Sequence, residues 1–153
     1  MTDIGDMLRT ALPGVAVTAN APLGPLTTFK VGGLADWLVE PGSGDDLVRV
    51  LQLVQQHGLP LTMLGGGSNV LIADEGVRGV VVRPRGGVLQ RVGPDIVRAD
   101  AAVTINGLVR WTIGRGLAAL EAWAGTPGTV GGAIYGNAHW RQANVGDVVE
   151  SVR

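Results

Sequence analysis

The feature that most limits what this chain can become is where its glycines stand. They number 25 among 153 residues, about twice the average share. They gather in Gly32-Gly33, in Gly65-Gly66-Gly67 and in Gly125-Thr126-Pro127-Gly128-Thr129-Val130-Gly131-Gly132-Ala133 instead of spreading as a linker would. Glycine inside a helix or strand costs about 0.5–1 kcal/mol relative to alanine, so such clusters predict tight turns or loops lined by backbone. In Leu64 to Ile72, three glycines lie between two apolar runs, each short enough to be a strand. Backbone N–H groups are obligatory donors, and glycines free to take positive φ can aim several of them at one anion, such as a pyrophosphate. Ser68 and Asn69 add a hydroxyl and an amide to that loop. Two readings stay open on the residues alone: a ligand loop, or a purely structural double turn.

The common phosphate motifs do not fit. A P-loop needs Gly-Lys-Ser/Thr, and the only lysine, Lys30, follows Phe29. A Rossmann fingerprint needs G-x-G-x-x-G opening a long helix, whereas here valine takes the last place and a strand-like run follows. Other classes are excluded by composition. The net charge is −1, and eleven of the twelve cations are arginines with no basic stripe between aromatics, so no nucleic-acid partner is expected. The chain has no cysteine, and its two histidines, His57 and His139, lack partners at metal-ligand spacing, so no metal site is expected. His57 precedes Gly58 and reads as a surface residue at a helix end. The N-terminus lacks the pattern of a secretory signal, and no apolar run approaches the roughly 20 residues that span a bilayer. The expectation is a cytoplasmic protein with no membrane partner.

At 46% apolar and 16% charged residues, the chain has the composition of a globular protein of one domain, or of one domain and a fragment of another. Residues 4 to 12 suit a short helix, and Asn20 to Pro25 is extended or turning chain. A strand is predicted at Ala35 to Val39 and a helix from Ser43 to His57, capped by Ser43 with Asp46 three residues on and stopped by Gly58. Leu61 to Leu64 is the next strand, so residues 35 to 64 form a strand-helix-strand unit that normally gives a parallel pair. Val70 to Ala73, Gly79 to Arg83, Gly87 to Val92 and Ile96 to Ala99 are short and β-branched between turn signals, which predicts an antiparallel meander. Asn106 is expected to cap a helix reaching Arg115. Asp147 to Arg153 alternates like a strand. Trp37, Trp111 and Trp123 lie in apolar segments and are expected in the core. The architecture read this way is α+β.

Five segments in order then carry a resemblance: Asn20-Ala21-Pro22-Leu23; Thr27-Thr28-Phe29-Lys30-Val31-Gly32-Gly33; Leu64 to Asn69; Asp74-Glu75-Gly76-Val77-Arg78-Gly79-Val80-Val81; and Gly125 to Ala133. Together they resemble the UDP-N-acetylenolpyruvoylglucosamine reductase family, named UDP-N-acetylmuramate dehydrogenase for the reverse direction, from about residue 20 to 138. The resemblance implies the FAD-binding fold of the vanillyl-alcohol oxidase and p-cresol methylhydroxylase (PCMH/VAO) type, two α+β subdomains with FAD clasped between them. Residues 1–19 would be an N-terminal helix and lead-in, and 20–153 the FAD-binding domain. It further implies that the FAD pyrophosphate lies against Gly65, Gly66, Gly67, Ser68 and Asn69. Thr126, Pro127, Gly128, Thr129, Gly131 and Gly132 would line the other side of the cofactor, with Tyr135 and Asn137 nearby. Thr28 and Lys30 read as structural or rim residues.

The activity implied is reduction of UDP-N-acetylglucosamine enolpyruvate to UDP-N-acetylmuramate for peptidoglycan synthesis. NADPH is the reductant, and FAD carries the hydride to the vinyl ether. The family's acid and its enolate-stabilising groups, in Tyr-Arg-x-Ser and Gly-Ser-x-Phe segments and a late glutamate, have no counterpart in this sequence. The expectation is therefore an FAD-binding portion without catalytic residues, cut short of a substrate-binding domain that would hold the UDP-sugar. The alternatives are a non-catalytic flavin-binding module and an oxidase of the same superfamily. After Asn137-Ala138, His139-Trp140-Arg141-Gln142 departs from the family's usual Gly-Ala-Tyr/Phe-Gly.

Overall fold

A computed structural model describes residues 4–153. The chain forms two compact units, Met1–Gly86 and Gly87–Arg153.

In the first unit, helix α1 (Ile4–Ala11) precedes strand β1 (Ala16–Pro22), then β2 (Leu34–Glu40), helix α2 (Gly44–Gln56), β3 (Leu61–Met63) and β4 (Val77–Val82). The sheet order is β1-β2-β4-β3. β1 runs antiparallel to β2, while β4 is parallel to both β2 and β3. The expected strand-helix-strand unit is present and its strands are parallel, but they are not neighbours, because β4 lies between them. This also corrects the expected meander. Val70 to Ala73 forms no strand, and β4 joins a parallel ladder instead of a hairpin. The cause is visible in burial: Val80, Val81 and Val82 are all at most 1% exposed, which marks a central strand covered on both faces. Val80 and Val82 turn toward Leu8, Leu12, Val39, Val50 and Val54, while Val81 turns with Leu38 toward Leu23 and Leu64. Alternation along one strand thus builds two cores.

Each such side chain, fully buried, contributes about 1.5–3 kcal/mol, so packing and not propensity holds the eight-residue α1, which would be marginal alone. α2 matches its local signals closely. Ser43 accepts from the Asp46 N–H at 3.1 Å. The Asp46 carboxyl is held below its ordinary value by its hydrogen bond with the Ser43 side chain, then by that with Arg49. Because the folded-state pKa is depressed, its contribution is present above the ordinary value of 3.8 and is lost as pH falls below it. Ser43→Ala is expected to cost about 1 kcal/mol and to raise the Asp46 pKa. Chemical denaturation and an NMR titration of the carboxyl would check both, and an unmoved titration would remove Ser43 as the main cause.

The second unit holds a hairpin of β5 (Leu89–Arg91) and β6 (Val97–Ala99), helix α3 (Ile105–Ile113), a 3-10 turn at Glu121–Trp123, helix α4 (Val130–Tyr135), a hairpin of β7 (His139–Trp140) and β8 (Ala143–Asn144), and a 3-10 turn at Val145–Val148. Its core gathers Val103, Ile105, Val109, Trp123, Val130, Ala133 and Val145. α3 is capped two residues earlier than expected: Thr104, not Asn106, is the cap, accepting from the Gly107 N–H at 3.0 Å. Of the tryptophans expected inside, Trp123 is buried. Trp37 flanks the first core under the Arg9 guanidinium, and Trp111 is half-buried with Arg115 stacked 3.8 Å from its ring centre. The strand expected over Asp147 to Arg153 does not form. Val149 closes a turn onto Gly146, and Val152 is 68% exposed. Alternation supplies a face, but a strand also needs a hydrogen-bonding neighbour, and this segment pairs with none among the described residues.

Candidate functional site

The first glycine loop begins where β3 ends. Leu64 still donates to Val82 O at 2.9 Å, after which the chain leaves the sheet. Of the three glycines, only Gly67 takes a positive φ, 68°, and it is buried while Gly65 and Gly66 are exposed. A Cβ on Gly67 would collide with the carbonyl oxygen of Leu26, so what approaches the backbone here is the protein's own earlier loop. That loop is rigidly built. The Thr27 hydroxyl, 2% exposed, donates to Gly24 O at 3.0 Å and accepts from the Lys30 N–H at 3.1 Å. Thr28 N–H donates to Gly67 O at 2.9 Å. Lys30, at φ 60°, donates from Nζ to Pro25 O at 2.8 Å. Thr28 and Lys30 therefore brace the glycine loop.

What this bracing leaves open is a run of donors. Among the described residues, the N–H groups of Gly65, Gly66, Gly67, Ser68 and Asn69 donate to no protein acceptor, and the Ser68 and Asn69 side chains are likewise unbonded. No charged residue stands in residues 64–72, so what the loop itself offers an anion is dipoles. The run fits a pyrophosphate by its donor set.

The second loop lies in the second unit and is held from both ends. Gly125 N–H donates to the Asn106 Oδ1 at 2.7 Å, and Thr126 N–H to Trp123 O at 3.0 Å. Ile105 N–H donates to Gly128 O at 3.1 Å and Val130 N–H to Val103 O at 2.8 Å, a pair that bridges Thr104 to Thr129. Gly131 and Gly132 are also engaged. Gly131 donates to Ala101 O at 2.9 Å, and a Cβ on it would stand 2.8 Å from that alanine's methyl; Gly132 donates to the Thr129 hydroxyl at 3.3 Å. The Gly128 and Thr129 amides remain without a protein acceptor among the described residues. Gly128 has φ 109°. Pro127 is exposed and offers no N–H. Tyr135, at the end of α4, is 96% exposed. Asn137, at φ 41°, accepts on Oδ1 from the Gly146 N–H at 3.0 Å. His139 and Trp140 stand exposed on β7.

Sequence reasoning missed two participants. The Leu26 to Thr28 segment locks Gly67, and only the Thr27-Thr28 pair of the motif hinted at it. Asn106 holds Gly125 across 19 residues, a separation with no local signal.

The model of a family described as FAD binding domain matches residues 35–153. A UDP-N-acetylenolpyruvoylglucosamine reductase from Anaeromyxobacter sp. is 45% identical over 138 residues, covering 89% of this chain and 43% of that one. The crystal structure of the corresponding enzyme from Thermus caldophilus is 30% identical with a TM-score of 0.63, over 85% of this chain and 44% of that one. A cholesterol oxidase from Brevibacterium sterolicum, 23% identical with a TM-score of 0.59 over 82% of this chain and 25% of its own, shares the fold. The fold is thus the expected PCMH/VAO type. The chain belongs to the FAD binding domain family, and in it stands with the UDP-N-acetylenolpyruvoylglucosamine reductases. It spans about two fifths of the length of the relatives it matches.

Proposed function

We propose that this chain binds FAD and supplies the FAD-binding part of an NADPH-dependent oxidoreductase of peptidoglycan precursor synthesis, reducing UDP-N-acetylglucosamine enolpyruvate to UDP-N-acetylmuramate. The observation that carries the reading is the unbroken run of unpaired amides from Gly65 to Asn69 on a chain of this family. Those amides, with the Ser68 hydroxyl and the Asn69 side chain, hold the pyrophosphate. In the second loop, Gly128 and Thr129 present donors to the cofactor, and Thr126, Pro127, Gly131 and Gly132 shape the backbone that carries them. Tyr135 and Asn137 flank that loop. Residues 20–153 are the FAD-binding domain, and 1–19 the helix and lead-in.

FAD, when bound, supplies hydride acceptance from NADPH and hydride donation to the enolpyruvyl group. The residues of this chain bind and orient it, and none of them is assigned the proton transfer. The chain alone is therefore expected to bind FAD without turning over the UDP-sugar substrate. The reading places it in the cytoplasm, in cell-wall synthesis and hence in cell shape and division; no described helix is long and apolar enough to cross a membrane.

The test is the visible spectrum of the purified chain after incubation with FAD and desalting. A retained flavin band is expected, with at least tenfold weaker binding in Gly66→Val, since a side chain there blocks approach to the donors. The midpoint of unfolding should stay put in that variant because Gly66 is exposed and has no positive φ. A folded wild-type chain that retains no flavin would overturn the reading.

A further inference from the structure

We propose that Asn106 is a positioning residue for cofactor binding: its side chain holds the second glycine loop in the shape that offers the Gly128 and Thr129 amides to FAD. The inference rests on the FAD reading above and adds a residue to it.

Asn106 is freed for this task by its neighbour. Thr104 already caps α3, accepting from the Gly107 N–H at 3.0 Å, so the Asn106 side chain in the first turn is not needed for capping. It turns instead to Gly125, accepting from that N–H at 2.7 Å. Gly125 has little else to hold it. It is exposed, it takes φ 87°, and no atom lies within 4 Å of where its Cβ would be. The far end of the loop is fixed independently, by the paired bonds at Gly128 and Val130 and by Gly131 on Ala101. Among the described residues, the Asn106 bond is the one attachment between α3 with its lead-in and the loop that is made by a side chain. A mutation can therefore delete it and leave the backbone bridge standing. Without it, residues 125–127 keep, among the described residues, only the Thr126 bond to Trp123, and the ordering of the loop has to be supplied when the ligand binds.

One hydrogen bond of this kind corresponds to about fivefold to tenfold in affinity. Asn106→Ala is accordingly expected to bind FAD about that much more weakly. Asn106→Asp, which keeps an acceptor oxygen in place, should recover to within about threefold of the wild type. Thr104→Ala serves as the stability control: it removes the α3 cap and lowers the unfolding midpoint, yet leaves FAD affinity within about twofold, because the loop keeps its clamp. The experiment titrates FAD into all four chains by flavin fluorescence, records their unfolding midpoints, and follows the Gly125 amide by NMR exchange without FAD. Wild-type affinity in Asn106→Ala, failure of Asn106→Asp to recover, or an equal loss in Thr104→Ala would each overturn the proposal. A wild-type chain that binds no FAD would overturn the FAD reading and this proposal with it. Amide exchange separates that from a failure of the clamp alone, since Gly125 then still exchanges faster in Asn106→Ala than in the wild type.

Discussion

Gly67→Ala is expected to destabilise the first unit by about 2–5 kcal/mol, whereas Gly66→Ala, one residue earlier, should stay within about 0.5 kcal/mol of the wild type. Two penalties add at Gly67. An alanine there must adopt φ 68°, which costs about 1–2 kcal/mol for an L-residue. Its methyl must also displace the backbone at Leu26, and overpacking of that kind costs about 1–3 kcal/mol. Backbone gives way less readily than a side-chain tip, because Thr27 and Thr28 pin the Leu26 segment through Gly24 and Gly67 itself. Against a typical total of about 5–15 kcal/mol, the loss is large enough to read from a urea midpoint. A Gly67→Ala chain with the wild-type midpoint would mean that the loops do not interlock. The result also bears on tests of binding: a variant changed at both Gly66 and Gly67 would lose flavin through misfolding, so the binding role has to be probed at Gly66 alone.

Trp123 offers the second large effect and an internal comparison. It is 4% exposed and sits in the second core among Val103, Ile105, Val109 and Val130. Trp123→Ala should cost about 3–5 kcal/mol, and it should loosen the glycine loop, whose Thr126 amide rests on the Trp123 carbonyl. Yet the indole Nε1 is buried with no hydrogen-bond partner among the described residues, a state that costs about 1–3 kcal/mol. Trp123→Phe removes that donor while keeping most of the ring, so it should fall within about 1 kcal/mol of the wild type in either direction. Thermal unfolding of the three chains decides it. A phenylalanine variant as damaged as the alanine one would show that the N–H is bonded.

The same contrast between local and distant causes separates what could be read early from what could not. Ser43, Asp46 and the apolar spacing of Leu47, Val50 and Val54 announce α2, and the helix stands at Gly44–Gln56, because caps and helical faces are made by residues three or four apart. β2 and β3 are legible from other local signals, short apolar runs bounded by turn residues such as Pro41-Gly42 and Gly65-Gly66. Val70 to Ala73 has the composition of a strand but gains no ladder partner among the described residues, and β4 reads as one arm of a hairpin in the sequence, whereas its burial on both faces goes with a place between two parallel neighbours. Asn106 had the chemistry of a cap and lay near the right place, but Thr104 took that position and left it for Gly125.

For the candidate site, the glycine clusters and the five family segments were enough, from the sequence by itself, to mark both loops and the FAD-binding family, since a chain spells out such motifs in consecutive residues. Tertiary structure alone decided how the labour divides within them. Gly67 and Gly131 are small because other parts of the protein press against them, while Gly65 to Asn69 keep five amides unengaged. The reason is physical: turn and helix preferences are settled between near neighbours, but whether a donor is left free depends on which distant backbone the fold brings against it.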